Sequence, residues 1–417
     1  MSSTGNNSGL DPRPSGTSKL RRFGLALLIG VGTLLLLDIA LSLWVIRDGS
    51  LRGIRLAPYD PPRFHRGQDQ EWQRLSLRLE DPEQPAARTV FDRELGWVPQ
   101  PNTSFELYSY DDRGARIGNP SSPTDPSPTR HIALYGCSMA HGDEVANAQA
   151  WPAALERQVT GLRVTNLGVS AYGLDQALLR MRLTATELAP DEVWFALLPA
   201  AALRATTCYR PLVRPWSNGL AFKPRFLVVG EDGLGLELVN SPAQSPADVV
   251  RLGGDAEQFL ELMVDRDPWV AARKTAFAPR GSEWLHRSAF GRLWLTWRVR
   301  SAPAPETALR GPTAQAFAVQ RAIAWNAKLE AQALGAKFRY LILPAYSDLE
   351  LQASDGREAW DAFATELREL GIEVIDASAT IRELGAEAFT RGTVGHYSPA
   401  GNAHLAEFLE TLFSSSD

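Results

Sequence analysis

Short apolar segments alternate with helical segments after residue 130, and this alternation constrains the fold more than any other feature. The apolar segments have the length and composition of strands and lie at residues 132–135, 163–166, 192–198, 338–343 and 372–375. They are separated by segments with helical periodicity, at residues 151–159, 174–188, 313–334 and 358–370. A last helix is expected from Pro399, with Ser398 as its N-cap. Strands alternating with helices predict a parallel sheet covered on both faces, a three-layer α/β/α sandwich.

An apolar run over residues 23–46 precedes this body and follows Lys19, Arg21 and Arg22. A helix needs a run of this length to cross a bilayer. Asp38 interrupts the run, at a cost of about 2.5–3.5 kcal/mol for a centred Asp, which the surrounding leucines offset. We predict an uncleaved, single-pass inner-membrane anchor at residues 23–46, a disordered cytoplasmic tail at residues 1–22 and an exported body. A cleaved signal with a weak site at residues 40–42 is the alternative.

The rest of the chain divides by composition. Residues 47–129 contain many prolines and are predicted to be a linker and N-terminal extension, with at most a short helix near residues 70–79. Residues 130–413 form the predicted α/β domain, interrupted by an insert at about residues 200–312. In that insert, the spacing of Trp294, Trp297 and neighbouring apolar residues fits an amphipathic helix. We expect this helix to pack on the sheet or cover a site; a membrane-surface or acyl-chain-binding element is the alternative.

Charge and cysteine content exclude several classes of function. The chain has 43 Lys and Arg against 48 Asp and Glu, so no basic excess exists to bind nucleic acid. Cys137 and Cys208 are too few for a zinc site or a disulfide framework, although export would permit one bond between them. The sequence shows no phosphate-binding loop or metal-ligand cluster, so we predict no cofactor. It does not predict any protein partner.

Three polar sites follow predicted strands or precede the last helix. Ser138 follows the first strand in Gly-Cys-Ser, Gly168 follows the second in Asn-Leu-Gly, and His396 precedes the last helix. Ligands of open parallel sheets bind at the carboxyl ends of the strands, where a Ser at a tight turn has backbone amides beside it. His396 is a candidate general base towards that Ser. Each feature alone is also typical of an ordinary turn, cap or surface His.

Taken together, these segments resemble the SGNH (GDSL-like) hydrolase superfamily, closest to bacterial members with an N-terminal membrane helix. The resemblance covers residues 94–102, 131–225 and 313–412. It implies a flavodoxin-like sheet, Ser138 as nucleophile and His396 as general base. It also implies that the backbone N–H groups of Gly168 and Ser138 stabilise an oxyanion.

Two residues that the superfamily normally has are missing. Ala200 and Ala201 stand where an oxyanion-binding Asn is expected, and Thr393 stands where an Asp normally orients the histidine. Thr393, a backbone carbonyl or His141 are candidate substitutes, although His141 also fits a helix-surface position. Asp143 and Glu144 fit first-turn helix charges. Four polar residues after the third strand are either substrate contacts or a solvated loop, namely Arg204, Thr206, Thr207 and Arg210.

The resemblance therefore leads to two functional hypotheses. The first is an exported, membrane-anchored serine esterase or O-acyltransferase that uses a Ser138–His396 dyad on O-acyl groups of a cell-surface glycan or lipid. The second is a catalytically degenerate protein of the same fold that binds a glycan or another protein. The two missing side chains are the reason that the second hypothesis stays open.

Overall fold

The computed structural model describes residues 16–46, 50–52, 54–60, 62–81, 87–118, 128–215, 217, 219–277, 288–301, 315–350, 358–392 and 395–414. The strands are β1 (Ser50–Leu51), β2 (Ile54–Arg55), β3 (Thr89–Asp92), β4 (Gly96–Pro99), β5 (Arg130–Gly136), β6 (Leu162–Asn166), β7 (Glu192–Leu197), β8 (Arg225–Val229), β9 (Gly235–Val239), β10 (Lys337–Ile342) and β11 (Glu373–Asp376).

The α-helices are α1 (Gly16–Ala40), α2 (Arg66–Glu80), α3 (Ser138–His141), α4 (Trp151–Gln158), α5 (Leu174–Leu188), α6 (Pro246–Gly254), α7 (Ala256–Met263), α8 (Pro268–Arg273), α9 (Ala289–Ser301), α10 (Gln315–Ala333), α11 (Tyr346–Leu349), α12 (Asp361–Glu369), α13 (Ser378–Leu384) and α14 (Pro399–Ser414). A π-helical turn, Leu41–Val45, continues α1. Two 3₁₀-helices, Pro199–Thr206 and Arg210–Leu212, follow β7.

Five parallel strands form the central sheet in the order β11-β10-β7-β5-β6. Numbered by their place along the chain, these strands have the flavodoxin-like order 2-1-3-4-5. The central strand β7 is buried along its whole length, which explains the apolar sequence that follows its first residue, Glu192. The sheet therefore confirms the parallel α/β architecture that the sequence predicts.

Helices cover both faces of this sheet, each over its own hydrophobic core. One core contains buried residues of α5, α10 and α12, such as Leu178, Ile323 and Phe363. The other contains buried residues of α4 and α14, such as Leu155 and Leu405. The molecule has the predicted three-layer arrangement, and the carboxyl ends of all five strands lie at one edge.

The N-terminal helix is long and apolar enough to cross a membrane over Leu20–Val45, as a signal sequence near an N-terminus also is. Helix α1 begins at Gly16, so residues 16–22 of the predicted disordered tail are helical. The first part of that tail, residues 1–15, lies outside the described residues.

The N-terminal extension is folded, which corrects the prediction of a linker. Helix α2 begins at Arg66 and packs on α6 of the insert. Tyr59 and Phe64 enter a third hydrophobic core, which they share with insert residues such as Phe259. The scattered aromatic residues of this proline-rich segment bury enough apolar surface for it to fold, because the insert provides the apolar residues against which they pack.

Two other expectations are also corrected. Cys137 and Cys208 are both free, because Cys137 belongs to a sheet core and Cys208 to the third core. Helix α9 does not pack on the sheet: Ala289 is buried against Ile46 and Leu56, near the end of α1. The early tryptophan of the predicted amphipathic segment, Trp284, lies outside the described residues.

Candidate active site

Ser138 lies at the carboxyl edge of the sheet, at the first position of the short helix α3. Strand β5 ends at Gly136, Cys137 is the N-cap residue of α3, and Gly142, whose φ is 78°, is its C-cap residue. Ser138 is 5% exposed, and its side chain forms no hydrogen bond with any residue that the structure describes. Because a helix leaves its first amides without intrahelical partners, the Ser138 N–H is available to a ligand.

Gly168 lies directly against α3, but its amide is already used. Its N–H donates a 3.0 Å hydrogen bond to Asn166 Oδ1. A Cβ at this position would lie 2.6 Å from the backbone nitrogen of His141. Only glycine therefore permits the loop after β6 to approach α3 this closely. The structure thus gives Gly168 a packing role, and its predicted oxyanion role requires the bond to Asn166 to open.

His396 lies beside the turn that follows α3, next to Glu144. Its backbone N–H donates to Glu144 Oε2 at 3.1 Å, and its ring Nδ1 lies 3.5 Å from the same oxygen. The ring contact is an ion-pair distance and not a hydrogen bond, and a quarter of the His396 side chain is exposed. No hydrogen bond joins His396 to Ser138 within the described part of the chain, and such bonds in ligand-free enzymes often form only with substrate.

Glu144 is the carboxylate that sequence analysis missed. Its φ is +71°, a left-handed conformation that costs a non-glycine residue about 1–2 kcal/mol. Thr390 Oγ1 donates to the carboxylate, Arg391 pairs with it at 3.1 Å, and the Glu144 N–H donates to Tyr108 Oη at 2.8 Å. Burial opposes ionisation, but these hydrogen bonds hold the pKa of Glu144 below its ordinary value.

Glu144 is the carboxylate that lies beside His396, where the superfamily normally has an Asp. Thr393, one of the three candidate substitutes, lies outside the described residues. Glu144 corrects the expectation of a first-turn helix charge, because α3 ends at His141 and Glu144 points towards the His396 segment instead. A strained backbone that carries a carboxylate to a histidine is a reason to suspect function at this position.

His141 is neither a surface residue nor an accessible base. Its side chain is 1% exposed, its Nε2 is 3.0 Å from Tyr110 Oη, and its Nδ1 is 2.6 Å from Asp143 Oδ1. The second contact is close but poorly aligned for a hydrogen bond. Burial lowers the pKa of His141 to about 4, more than the Asp143 carboxylate raises it. The imidazole is therefore neutral at pH 7 and cannot reach a substrate.

Asp143 lies at the centre of this buried network and is likewise not a helix charge. Arg88 Nη2 donates to its Oδ1 at 2.6 Å, and Ser170 Oγ donates to both carboxylate oxygens at 2.8 and 2.7 Å. Burial alone would raise the pKa of Asp143, but the charge of Arg88 holds it below its ordinary value, since the neighbouring His141 is neutral at pH 7. Asp143 thus stays ionised and fixes the turn after Ser138.

A second arginine from the N-terminal extension clamps the same turn. Arg116 donates to the backbone carbonyls of His141 at 2.7 Å and Val145 at 2.7 Å, and also to that of Gly142. Burial lowers the pKa of Arg116 to about 10, so the guanidinium remains charged. The predicted linker therefore supplies residues that hold the candidate nucleophile in place.

The segment after β7 has no side chain that replaces the missing Asn. Ala200 and Ala201 lie in the 3₁₀-helix Pro199–Thr206. Thr206 and Thr207 bond to Trp269 and Asp267 of the insert, so they are structural residues. Both are buried, which contradicts a solvated loop.

Two arginines of this segment lie near the residue that precedes the candidate nucleophile. Arg204 is 6% exposed, donates to Tyr172 O at 3.0 Å and lies next to the Cys137 thiol. Burial, with the neighbouring charges of Arg204 and Arg214, lowers the pKa of Arg210 to about 9. These groups make this side of the site electropositive.

An apolar cavity lies away from these residues. It has a volume of about 370 Å³ and is lined mainly by the N-terminal extension and the insert, including Tyr59, Phe64, Leu212 and Phe277. Neither Ser138 nor His396 touches it.

Comparison with solved structures gives matches to hydrolases, but at low similarity. A member of the lipolytic G-D-S-L family from Veillonella parvula is 12% identical, with a TM-score of 0.34 over 68% of this chain and 98% of its own. Axe2, an acetylxylan esterase from Geobacillus stearothermophilus, is 12% identical, with a TM-score of 0.34 over 69% and 94%. LAE5, an alpha/beta hydrolase from the metagenome of Lake Arreo, is 11% identical, with a TM-score of 0.37 over 70% and 98%.

No protein-family model and no curated protein sequence matches the chain. The matched structures include lipolytic proteins of the GDSL type, the superfamily that the motifs of this sequence resemble. TM-scores of this size carry no argument about activity. The assignment of the fold rests on the strand order, and any activity rests on the residues at the sheet edge.

Proposed function

We propose that the chain is a membrane-anchored, exported serine esterase or O-acyltransferase with Ser138 as nucleophile and His396 as general base. The observation that carries the proposal is the proximity of the His396 segment to the turn after Ser138: Glu144 Oε2 accepts from the His396 N–H at 3.1 Å. Asp143, one residue earlier, donates its own N–H to Ser138 O at 3.0 Å. Residues distant in sequence thus converge on one edge of the sheet.

The reaction follows from these groups. Ser138 Oγ attacks the ester carbonyl while His396 removes its proton, and the oxyanion accepts a hydrogen bond from the Ser138 N–H. The protonated His396 returns its proton to the leaving alkoxide, which leaves an acyl-enzyme. Attack by water then completes hydrolysis, whereas attack by an acceptor hydroxyl completes acyl transfer.

Glu144 has the role of the missing Asp in this proposal. Its carboxylate lies 3.5 Å from His396 Nδ1, where it favours the imidazolium that forms during the reaction. It reaches His396 from the turn after the nucleophile and not from the segment before the histidine. Glu144 does not touch the substrate, so it is a positioning residue.

The substrate class and the location are also part of the proposal. We place the body on the exported side of an inner membrane, held by residues 23–46 of α1, with O-acyl groups of a cell-surface glycan or lipid as substrates. The membrane placement is supported by the length and apolar composition of the span Leu20–Val45. The acyl substrate is supported by the motif resemblance and by the Ser138–His396 arrangement.

A binding protein without turnover is the second candidate, and two observations favour it. The Gly168 N–H is engaged by Asn166, and Ala200 offers no side-chain donor, so the oxyanion site has one free amide. Loss of one oxyanion donor costs about 10²–10³-fold in kcat in a protease. Slow turnover is therefore the expected behaviour even for an active enzyme of this kind.

A fluorophosphonate probe separates the two candidates. We expect the full-length protein in detergent to be labelled, the Ser138→Ala variant to be unlabelled, and His396→Gln to be labelled at least about tenfold more slowly. The matched control is Ser398→Ala, since Ser398 lies two residues from His396 but bonds to Glu387 O. Wild-type protein that resists the probe, or a Ser138→Ala variant labelled as fast as wild type, would exclude the esterase.

A further inference from the structure

Helix α9 is joined to the N-terminal anchor by a polar contact at its first turn. Asp38 of α1 accepts hydrogen bonds from Ser288 Oγ at 3.0 Å and from the Phe290 N–H at 2.7 Å. A carboxylate at this place caps the free amides of a helix N-terminus and complements its positive dipole. The charged residue that interrupts the apolar run thus has a structural partner in the insert.

The inner face of α9 is fixed to the protein body. Ala289 is buried with Ile46 and Leu56. Thr296 Oγ1 accepts from the Ala57 N–H at 2.8 Å, and Arg292 donates to Leu56 O at 3.0 Å. The helix therefore has one defined orientation relative to the end of α1.

The outer face of α9 exposes three large aromatic side chains to solvent. Phe290 is 41%, Trp294 49% and Trp297 65% exposed. Their spacing of four and three residues places them on one side of the helix. Trp44, 77% exposed in the π-helical turn after α1, adds a fourth exposed ring near the same end of the anchor. Soluble surfaces rarely expose such large apolar groups together.

The anchor sets the depth at which α9 begins. The 26-residue span Leu20–Val45 is about 39 Å long at the rise of an α-helix, whereas the hydrocarbon core of a bilayer is about 30 Å thick. Asp38 lies about 10 Å before the end of the span, which puts it about 6 Å inside the hydrocarbon when the excess length is shared equally between the two ends. The first turn of α9 meets α1 at this level.

We propose that α9 lies in the membrane interface as a second membrane contact, with Phe290, Trp294 and Trp297 among the lipid headgroups and upper acyl chains. Aromatic side chains with a polar atom concentrate at this level of a bilayer. Within Ala289–Ser301 the charged residues are all arginines, and the exposed Arg298 lies 5.5 Å above the Trp294 ring. Basic and aromatic residues on one helix suit an anionic lipid surface.

This inference rests on the proposed membrane anchoring but not on the proposed esterase chemistry. Its consequence is that the body does not swing freely on the anchor. Two contacts, α1 through the bilayer and α9 along its surface, hold the body in one orientation over the lipid. A second copy of the chain is the other surface that would cover three exposed rings, and the experiment below separates the two.

Site-specific fluorescence in liposomes tests the proposal on the full-length protein. Single cysteines are introduced by Trp297→Cys, Leu28→Cys and Leu183→Cys and labelled with a nitrobenzoxadiazole dye, with unmodified protein correcting for the buried Cys137 and Cys208. Leu183, 52% exposed on α5, is the matched control, and Leu28 reports the anchor. Labelled proteins are reconstituted in vesicles of phosphatidylcholine and phosphatidylglycerol, and thermal unfolding checks that each variant is folded.

We expect the label at residue 297 to be quenched at least about threefold more by headgroup-proximal nitroxide lipids than the label at residue 183, and correspondingly less by aqueous iodide. Equal iodide quenching at residues 297 and 183 would overturn the proposal. Protection at residue 297 that disappears as the protein is diluted with excess lipid would assign the surface to a second copy. A label at residue 28 without lipid quenching would remove the premise of an anchor, whatever the fluorophosphonate result.

Discussion

Two neighbouring carboxylates, Asp143 and Glu144, hold opposite sides of the same turn in different ways. Asp143 has a side chain 9% exposed and is bonded to Arg88 and Ser170 within the buried network. Glu144 is 27% exposed, has a left-handed backbone and contacts the His396 segment. The first lies in a relaxed, fully paired environment, whereas the second is held in strain at the edge of solvent.

The difference indicates which of the two residues serves stability and which serves chemistry. A buried, paired carboxylate contributes to a unique conformation, and the loss of its partner leaves a charge in a medium that solvates it poorly. A strained residue persists only because its surroundings hold it, and such residues concentrate at functional sites. We therefore expect substitutions on the Asp143 side to affect folding and those on the Glu144 side to affect turnover.

The arginine partners of the two carboxylates give the largest expected contrast. Arg88→Met removes the 2.6 Å partner of buried Asp143, and we expect the free energy of unfolding to fall by about 3 kcal/mol. Arg391→Met removes the partner of Glu144, but Arg391 is 69% exposed, so a change below about 1 kcal/mol is expected. Chemical denaturation of both variants in detergent measures the contrast, and equal losses would refute the division.

Glu144 itself gives the next effect, on catalysis. We expect Glu144→Gln to lower kcat on a 4-nitrophenyl ester by about 10²-fold with KM little changed, less than the roughly 10⁴-fold cost of disabling a directly bonded Asp, because the contact is 3.5 Å long. Glu144→Gly is the matched control for strain: it should lose the same activity but little stability, since glycine adopts φ of +71° freely. A variant with full kcat would remove Glu144 from the mechanism.

The sheet could be predicted from sequence because its signals are local. Strand β7 is apolar after Glu192 because both its faces are buried. The predicted bounds of α5 agree with the structure because Gly173 and Pro190 flank this helix. The start of α14 at Pro399 was likewise predicted from sequence. Ser398 caps this helix by accepting a hydrogen bond from the Gly401 N–H. Signals of this kind need no knowledge of distant residues.

The residues that support the site could not be predicted in the same way. Glu144 meets His396 across 252 positions of sequence, and its left-handed backbone leaves no mark in the residue type. Arg88 and Arg116 belong to a proline-rich extension whose core residues, such as Tyr59, are buried only because the insert packs over them. Their roles arise from tertiary contacts, so neither periodicity nor spacing reveals them.

The smallest expected effect is a difference in how His141 and Glu144 contribute to stability as the pH is lowered. His141 has a folded-state pKa of about 4, against about 6.5 for a histidine in the unfolded chain. Between these values the unfolded state binds a proton that the folded state does not, so the free energy of unfolding falls as pH decreases, by up to about 1.4 kcal/mol per pH unit. Glu144 has a lowered pKa in the folded state, so its contribution to the free energy of unfolding is lost only below about pH 4.3.

The buried side should therefore weaken at a higher pH than the Glu144 side. Denaturation measured from pH 7 to pH 4 should show this loss of stability in wild-type protein. The stability of His141→Gln should depend less steeply on pH, because glutamine at position 141 does not titrate. The variant is less stable at pH 7 because Tyr110 and Asp143 lose their partner, so the slope and not the absolute value decides the matter. Parallel slopes in the two proteins would mean that folding does not lower the pKa of His141.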